Sequence, residues 1–141
     1  MSFSTLLLVH AAASWFMTGL IWLIQVVHYP LFARVGTAGY REYQVAHQKL
    51  ISFVVGPVML VEAGATALVL LERRDGWTLA GGALLAVIWA STAFLQVPMH
   101  VALSQGFDAQ AHARLVDTNW IRTVCWTARG VIALWMIHRS A

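Results

Sequence analysis

Ser4-Thr5-Leu6-Leu7-Leu8-Val9-His10-Ala11-Ala12-Ala13-Ser14-Trp15-Phe16-Met17-Thr18-Gly19-Leu20-Ile21-Trp22-Leu23-Ile24-Gln25-Val26-Val27 contains no Asp, Glu, Lys or Arg. A helix of about 20 mainly apolar residues crosses a bilayer core, so this run predicts a membrane span. Three further runs meet the same length, from about Leu50 to Leu71, Trp77 to Met99 and Asn119 to Ile137. The expected fold is therefore all-α: one membrane domain over residues 1–141, an integral membrane four-helix bundle with both termini on one side.

Composition agrees. Hydrophobic residues make up 60% of the chain and charged ones 11%, where a soluble domain carries about 25% charge. The mean hydropathy is +0.70 and the pI about 9.6, but the nine Lys and Arg are scattered over short loops and form no basic stripe. Nucleic acid is thereby excluded as a partner, and membrane lipid is expected. The single Cys125 excludes an internal disulfide and a cysteine metal cage; it is expected to be a small buried apolar residue. The first run lacks a preceding Lys or Arg and stays apolar past Val27, so an uncleaved span is expected rather than a signal peptide.

The connections differ in length. Ala33 to Lys49 is polar, is broken by Gly36 and Gly39, and then repeats Tyr40, Tyr43 and His47 at helical spacing, which predicts a short amphipathic interfacial helix between spans 1 and 2. Glu72-Arg73-Arg74-Asp75-Gly76 is a tight turn, and Val101 to Thr118 is broken at Gly106 before a helical segment from Asp108 to Val116. The two longer connections share one face. Arg34, Arg41, Lys49, Arg114 and Arg122 lie there against Arg73, Arg74 and Arg139 opposite, so the positive-inside bias places the long loops in the cytoplasm of a bacterial inner-membrane protein. Some of the seven Trp are expected as interfacial anchors, while Trp22, Trp89 and Trp126 fall deeper, packed against helices or lining a cavity.

The first span ends in Gln25-Val26-Val27-His28-Tyr29-Pro30 and the third in Gln96-Val97-Pro98-Met99-His100. An amide and an imidazole three or four residues apart share a helix face. In a compact bundle Gln25, His28, His47, Gln96, His100, Asn119 and Arg122 converge on the long-loop side. His28, His47 and His100 come from three elements and could ligate one transition metal (Cu, Fe or Zn) or serve a haem, although no HExxH and no pair of His four apart is present. Hydrogen bonding at a helix end is the commoner role for such a histidine. His10 and His138 lie toward the opposite face, and His112 is expected to be solvated. Glu62 and Arg129 lie about 12 and 10 residues into their spans, roughly 15–18 Å deep at 1.5 Å per residue, which predicts an ion pair between them near the midplane. Gly56-Pro57 is expected to kink the second span. No Ser-His-Asp arrangement, phosphate-cradling loop or catalytic carboxylate pair can be assembled.

Pro30-Leu31, Pro98-Met99-His100 and Asn119-Trp120-Ile121-Arg122-Thr123 resemble the span-end motifs of the DUF1772, or anthrone oxygenase-like, family of small four-span membrane proteins. The likeness covers most of the chain at the level of span order. His100 stands where the family usually has Asn, and Leu115 where Trp is common. The resemblance implies an oxygen-using membrane oxidoreductase acting on an apolar aromatic or quinone-type substrate, with Pro98, Asn119 and Arg122 as the carried-over positions. Alongside these, His28, His47 and His100 are expected as metal ligands or acid–base groups, with Gln25 and Gln96 beside them. The competing expectation is a non-catalytic membrane subunit, or a haem-, quinone- or pigment-binding protein of a homo-oligomer or larger complex, its small residues Gly64, Gly81 and Gly82 forming helix-packing surfaces.

Overall fold

In the computed structural model, which describes residues 1–140, the chain is all-α, with no strand among the described residues. Four long helices follow one another up and down: α1 (Phe3–Arg34), α2 (Tyr40–Glu72), α3 (Gly76–Leu103) and α4 (Ala109–His138). The first three are long and apolar enough to cross a membrane. α1 packs on α2 and α4, and α3 packs on both of them as well. The outer surface is a band of exposed large apolar side chains, among them Leu8, Phe16, Phe53, Leu60, Phe94 and Val124, which is how a helix bundle meets hydrocarbon rather than water.

The helix starts are written in the sequence. Ser2 caps α1 by accepting from the Thr5 amide at 3.2 Å, and Asp108 caps α4 by accepting from the Ala111 amide at 2.7 Å. Asp75 opens α3 with a capping box, its carboxylate taking the Trp77 and Thr78 amides while the Thr78 hydroxyl takes the Asp75 amide. Between α1 and α2 the chain reverses through Gly36 and Gly39, at φ +84° and +82°, a left-handed backbone that side-chain-bearing residues avoid.

The expected separate interfacial helix is not formed. Tyr40 to Lys49 is instead the start of the 33-residue α2, which runs without a break past Gly56-Pro57. Tyr40, Gln44 and His47 point into the bundle and continue the stripe formed lower down by Ile51, Val55 and Met59. At about 1.5 Å per residue α2 is about 50 Å long, longer than a hydrocarbon core of about 30 Å, so its first turns rise beyond the core without lying flat. α4 likewise begins earlier than expected, ten residues before the run predicted from Asn119.

α1 and α3 each contain one π-helical turn, at Ile24–His28 and Thr92–Gln96. Both sit just before a proline. Pro30 and Pro98 lack an amide hydrogen and would strike the carbonyl four residues back in a regular α-helix. The wider turn, in which the Tyr29 amide reaches the Ile24 carbonyl and the Val97 amide the Thr92 carbonyl, lets each helix pass its proline without ending.

Candidate functional site

Two polar layers cross the bundle interior. The deeper one is centred on Glu62, fully buried. Its Oε1 accepts from Arg129 Nε and Ser14 Oγ, each at 3.0 Å, and its Oε2 accepts from Trp126 Nε1 at 3.0 Å. Arg129, equally buried, also donates to Thr66 Oγ1 at 3.0 Å and to the Gly81 carbonyl, and lies 3.4 Å from His10 Nε2. All four helices contribute. Both oxygens of the carboxylate are engaged, while His10 Nδ1 is buried in the same layer without a partner.

The second layer lies two helical turns nearer the long connections. Arg122, 6% exposed, is seven residues before Arg129 and so on the same face of α4. Its Nε and one terminal nitrogen both donate to Asn119 Oδ1, the former at 2.9 Å; that terminal nitrogen also reaches Tyr29 Oη at 3.1 Å, and the other reaches Thr92 Oγ1 at 3.4 Å. Asn119 is held in turn by donating to Gln25 Oε1 at 2.7 Å, and Gln25 donates to the Val116 carbonyl at 3.1 Å. Tyr29 Oη is 3.0 Å from His100 Nε2, and Gln44 Nε2 is 2.8 Å from His100 Nδ1. Gln96 accepts from Ser91 Oγ at 2.9 Å and donates to Thr118 Oγ1 at 3.0 Å.

Below and beside this layer is a cavity of about 240 Å³ between all four helices. Met17, Leu20, Ile21, Ile24, Ile51, Val55, Val97 and Trp126 make its apolar walls; Tyr29, Gln48, Ser52, Thr92, Gln96, His100 and Arg122 are its polar lining. Gly56 borders it, and a methyl group added there would meet nothing within 4 Å. An apolar chamber with a few converging polar groups is the usual form of a small-molecule site, and this one falls a little below the about 300–1,000 Å³ that takes a drug-sized ligand.

The residues singled out by sequence divide. Arg122, Gln96 and His100 line the cavity; Asn119 and Gln25 stand behind Arg122 and hold it. His28 and His47 do not reach the cavity. They pair with each other, Nε2 to Nδ1 at 3.0 Å, beside a second, shallower hollow of about 390 Å³ lined also by Tyr43, Ala46, Leu50, Ile51 and Val54. Within each span end the amide and the imidazole part company: Gln25 faces α4 and His28 faces α2, because the π turn between them rotates one away from the other.

The three histidines expected to bind a metal are neighbours, with His47 and His100 ring centres 5.5 Å apart, yet they do not fit a three-imidazole centre. Both nitrogens of His100 are met by Tyr29 and Gln44, and His28 and His47 spend one nitrogen on each other. No group of three His, Cys, Asp or Glu among the described residues is placed to hold a metal ion. His47 Nε2 is buried without a partner.

Other expectations are corrected. His112 is not simply solvated: its Nε2 lies 2.8 Å from the Tyr29 carbonyl. Arg122 belongs to the interior and not to the surface charge of the long-loop side. Of the three deeper tryptophans only Trp126 lines the cavity; Trp22 and Trp89 are more than 40% exposed on the outer surface. Cys125 is buried and free. Sequence inspection passed over Tyr29, Gln44 and Gln48. Tyr29 lies between His28 and Pro30, where its phenol could have been taken for an interfacial anchor; only the π turn turns it inward. In comparisons with known proteins, no family model, no curated protein and no solved structure matches the chain.

Proposed function

We propose that the protein is a four-span membrane oxidoreductase of the oxygenase type, holding a small apolar aromatic or quinone-type compound in the cavity between its helices. The observation that carries this is the asymmetry of the chamber: aliphatic side chains and the Trp126 indole make one end, and Tyr29, His100 and Arg122 meet at the other. A flat ring compound with one oxygen satisfies both ends. Arg122 supplies a fixed planar fork of donors to that oxygen, held in place by Asn119 and Gln25, so little reorganisation is needed when charge builds on it.

The resemblance to the anthrone oxygenase-like family supplies the reaction class. A ring methylene becomes a carbonyl, with one oxygen atom of dioxygen entering the product and the other leaving as water with the two hydrogens. The protein's part is to bind, orient and keep bulk water from the ring. α4 serves as the fourth span, with the long connections on the cytoplasmic side of a bacterial inner membrane.

The test uses the purified protein in detergent or nanodiscs. Anthrone and anthraquinone are titrated while Trp126-weighted fluorescence is followed, and oxygen uptake is recorded with anthrone in excess. Saturable quenching lost in a Val55→Trp variant, together with protein-dependent oxygen uptake lost in Arg122→Gln, is the expected result. Saturable binding without oxygen uptake would favour the non-catalytic quinone or pigment binder, and absence of binding by any ring compound would remove both.

A further inference from the structure

Arg122 and Arg129 lie on one face of α4 and are both buried, at 6% and 0% exposure. They differ in one respect. Arg129 has the Glu62 carboxylate at 3.0 Å, whereas Arg122 has the neutral oxygens of Asn119, Tyr29 and Thr92 and the face of the Trp126 ring, 6.0 Å from its guanidinium carbon, but no anion. The ion pairs among the described residues are Arg73–Asp75, Glu62–Arg129 and Arg139–Asp75, and Arg122 takes part in none. A guanidinium does not lose its proton inside a protein, and a buried cation persists only with compensation nearby. The last turns of α1 and α3 offer partial negative charge, but such fields fade within one turn.

The hydrogen bonds around Arg122 have a direction. With Gln44 Nε2 set 2.8 Å from His100 Nδ1 and Gln44 Oε1 buried without a partner, Nδ1 is the acceptor and the ring proton stands on Nε2. That proton then goes to Tyr29 Oη at 3.0 Å, which also accepts from Arg122 at 3.1 Å. With both neighbours donating to its oxygen, Tyr29 has its own O–H left over, and Tyr29 lines the cavity. Gln44, His100 and Tyr29 thus form a chain of donors ending beside a cation at the polar end of an apolar chamber, an arrangement that strengthens toward a negative charge.

We propose that the missing counter-ion of Arg122 is the ligand itself: the cavity takes a ring compound bearing an ionisable hydroxyl and holds it as the phenolate or enolate, with its oxygen against Arg122 and Tyr29. This rests on the cavity being the ligand site and specifies what that ligand is. Binding a hydroxyl compound breaks its O–H bond and releases the proton to bulk water; no electrons move. The titratable groups that touch Arg122 or stand one contact behind it are Tyr29 of α1, His100 of α3, His112 of α4 and, through the Trp126 ring, Glu62 of α2; the Glu62 carboxylate is already paired with Arg129, and beyond His100 lie His47 and His28.

The probes are a nitronaphthol, whose ionised form absorbs in the visible, and its methyl ether, which has nearly the same shape and cannot ionise. In the wild-type protein the bound nitronaphthol is expected to ionise at least about one pH unit below the free dye, as for an acid within reach of one opposite charge, to release a proton on binding at a pH where the free dye is neutral, and to bind at least about tenfold tighter than the ether. In Arg122→Gln the shift should vanish and the dye should lose its advantage over the ether; Arg122→Lys should keep part of both, and Tyr29→Phe should reduce them. Equal binding of dye and ether with an unshifted titration overturns the proposal while leaving the cavity a ligand site. Failure of both probes to bind the wild type removes that underlying reading and the proposal with it. If Arg122→Gln does not fold, the wild-type comparison of dye and ether decides the matter alone.

Discussion

Replacing Glu62 by Gln keeps the volume of the side chain and removes its charge, which isolates what the carboxylate does. Three donors converge on it, from Ser14, Trp126 and Arg129. An amide offers one oxygen in place of two, so either the Trp126 N–H or the Ser14–Arg129 pair faces an NH₂ group. A buried donor stripped of its acceptor costs about 1–3 kcal/mol, and a lone Arg at the centre of a membrane helix costs about 2.5–3.5 kcal/mol. The two overlap, because Arg129 is one of the orphaned donors and keeps its contacts to Thr66 and Gly81. The expected loss is therefore about 3–5 kcal/mol, the range found when one member of a buried pair is removed. Unfolding by sodium dodecyl sulfate in mixed micelles, followed by circular dichroism, measures it. The double variant Glu62→Gln with Arg129→Gln should recover part of the loss, since two amides can bond to each other. A single-variant cost under about 1 kcal/mol would show that the carboxylate is not what keeps Arg129 in the bundle.

At Gly130 an added methyl meets the Trp15 ring at 3.1 Å and Thr18 Oγ1 at 3.3 Å, so Gly130→Ala makes those two side chains give by a few tenths of an ångström and Gly130→Leu, which needs far more room, should lower thermal stability, whereas Gly64→Ala, with nothing within 4 Å, should leave it unchanged or raise it by up to about 1 kcal/mol of helix propensity. Val55→Trp puts an indole into the chamber and should lower ring-compound affinity at least about tenfold with the melting temperature little altered, because the cavity accommodates the added volume; unchanged affinity would place the ligand elsewhere. Asp75 is the pH-sensitive cap: the Thr78 amide first, then the Trp77 amide and the nearby Arg73 and Arg139, hold its carboxyl below the usual carboxylate range. Its contribution is thus present above the ordinary value of about 3.9 and lost as pH falls through the lowered one. Asp75→Ala should cost about 1 kcal/mol at neutral pH, and the gap to wild type should close in acid; a gap independent of pH would mean that the charge does not matter to the cap.

Residue counting alone was enough to bring Glu62 and Arg129 together, because two charges at matched depth in hydrocarbon have few other places to go. The caps at Ser2, Asp75 and Asp108 are legible for a similar reason, since an oxygen-bearing side chain before an apolar run has one common use. The first turns of α2 were not. A stripe of Tyr40, Tyr43 and His47 describes a helix lying on a membrane surface and a helix continuing into a bundle equally well, and what decides is whether Ile51, Val55 and Met59 carry the stripe on without a break. The expectation of a histidine metal site shows the converse difficulty. Topology brings His28, His47 and His100 to one end of the bundle, but whether imidazole nitrogens point at a common centre depends on Gln44 and Tyr29, whose inward orientation no periodicity announces.

The two prolines explain why the polar residues sort as they do. If α1 were regular up to Pro30, Gln25 and His28 would share a face and both would look toward α2 or both toward α4. The π turn before Pro30, which has no counterpart before Pro57 of α2, adds a residue to that turn, so Gln25 stays buried against Asn119 while His28 swings to His47 and Tyr29 is carried into the interior between Arg122 and His100. Pro98 does the same for α3, burying Gln96 against Ser91 and Thr118 and aiming His100 at Tyr29. Such turns are rare in ordinary helices and gather where function needs an irregular backbone. Here two of them, at matching heights, bring the phenol and imidazole of two different helices to the guanidinium of a third. The repeated pattern of Gln followed within a few residues by Pro therefore matters less for the Gln and His it displays than for the register change it imposes on the residues that come after.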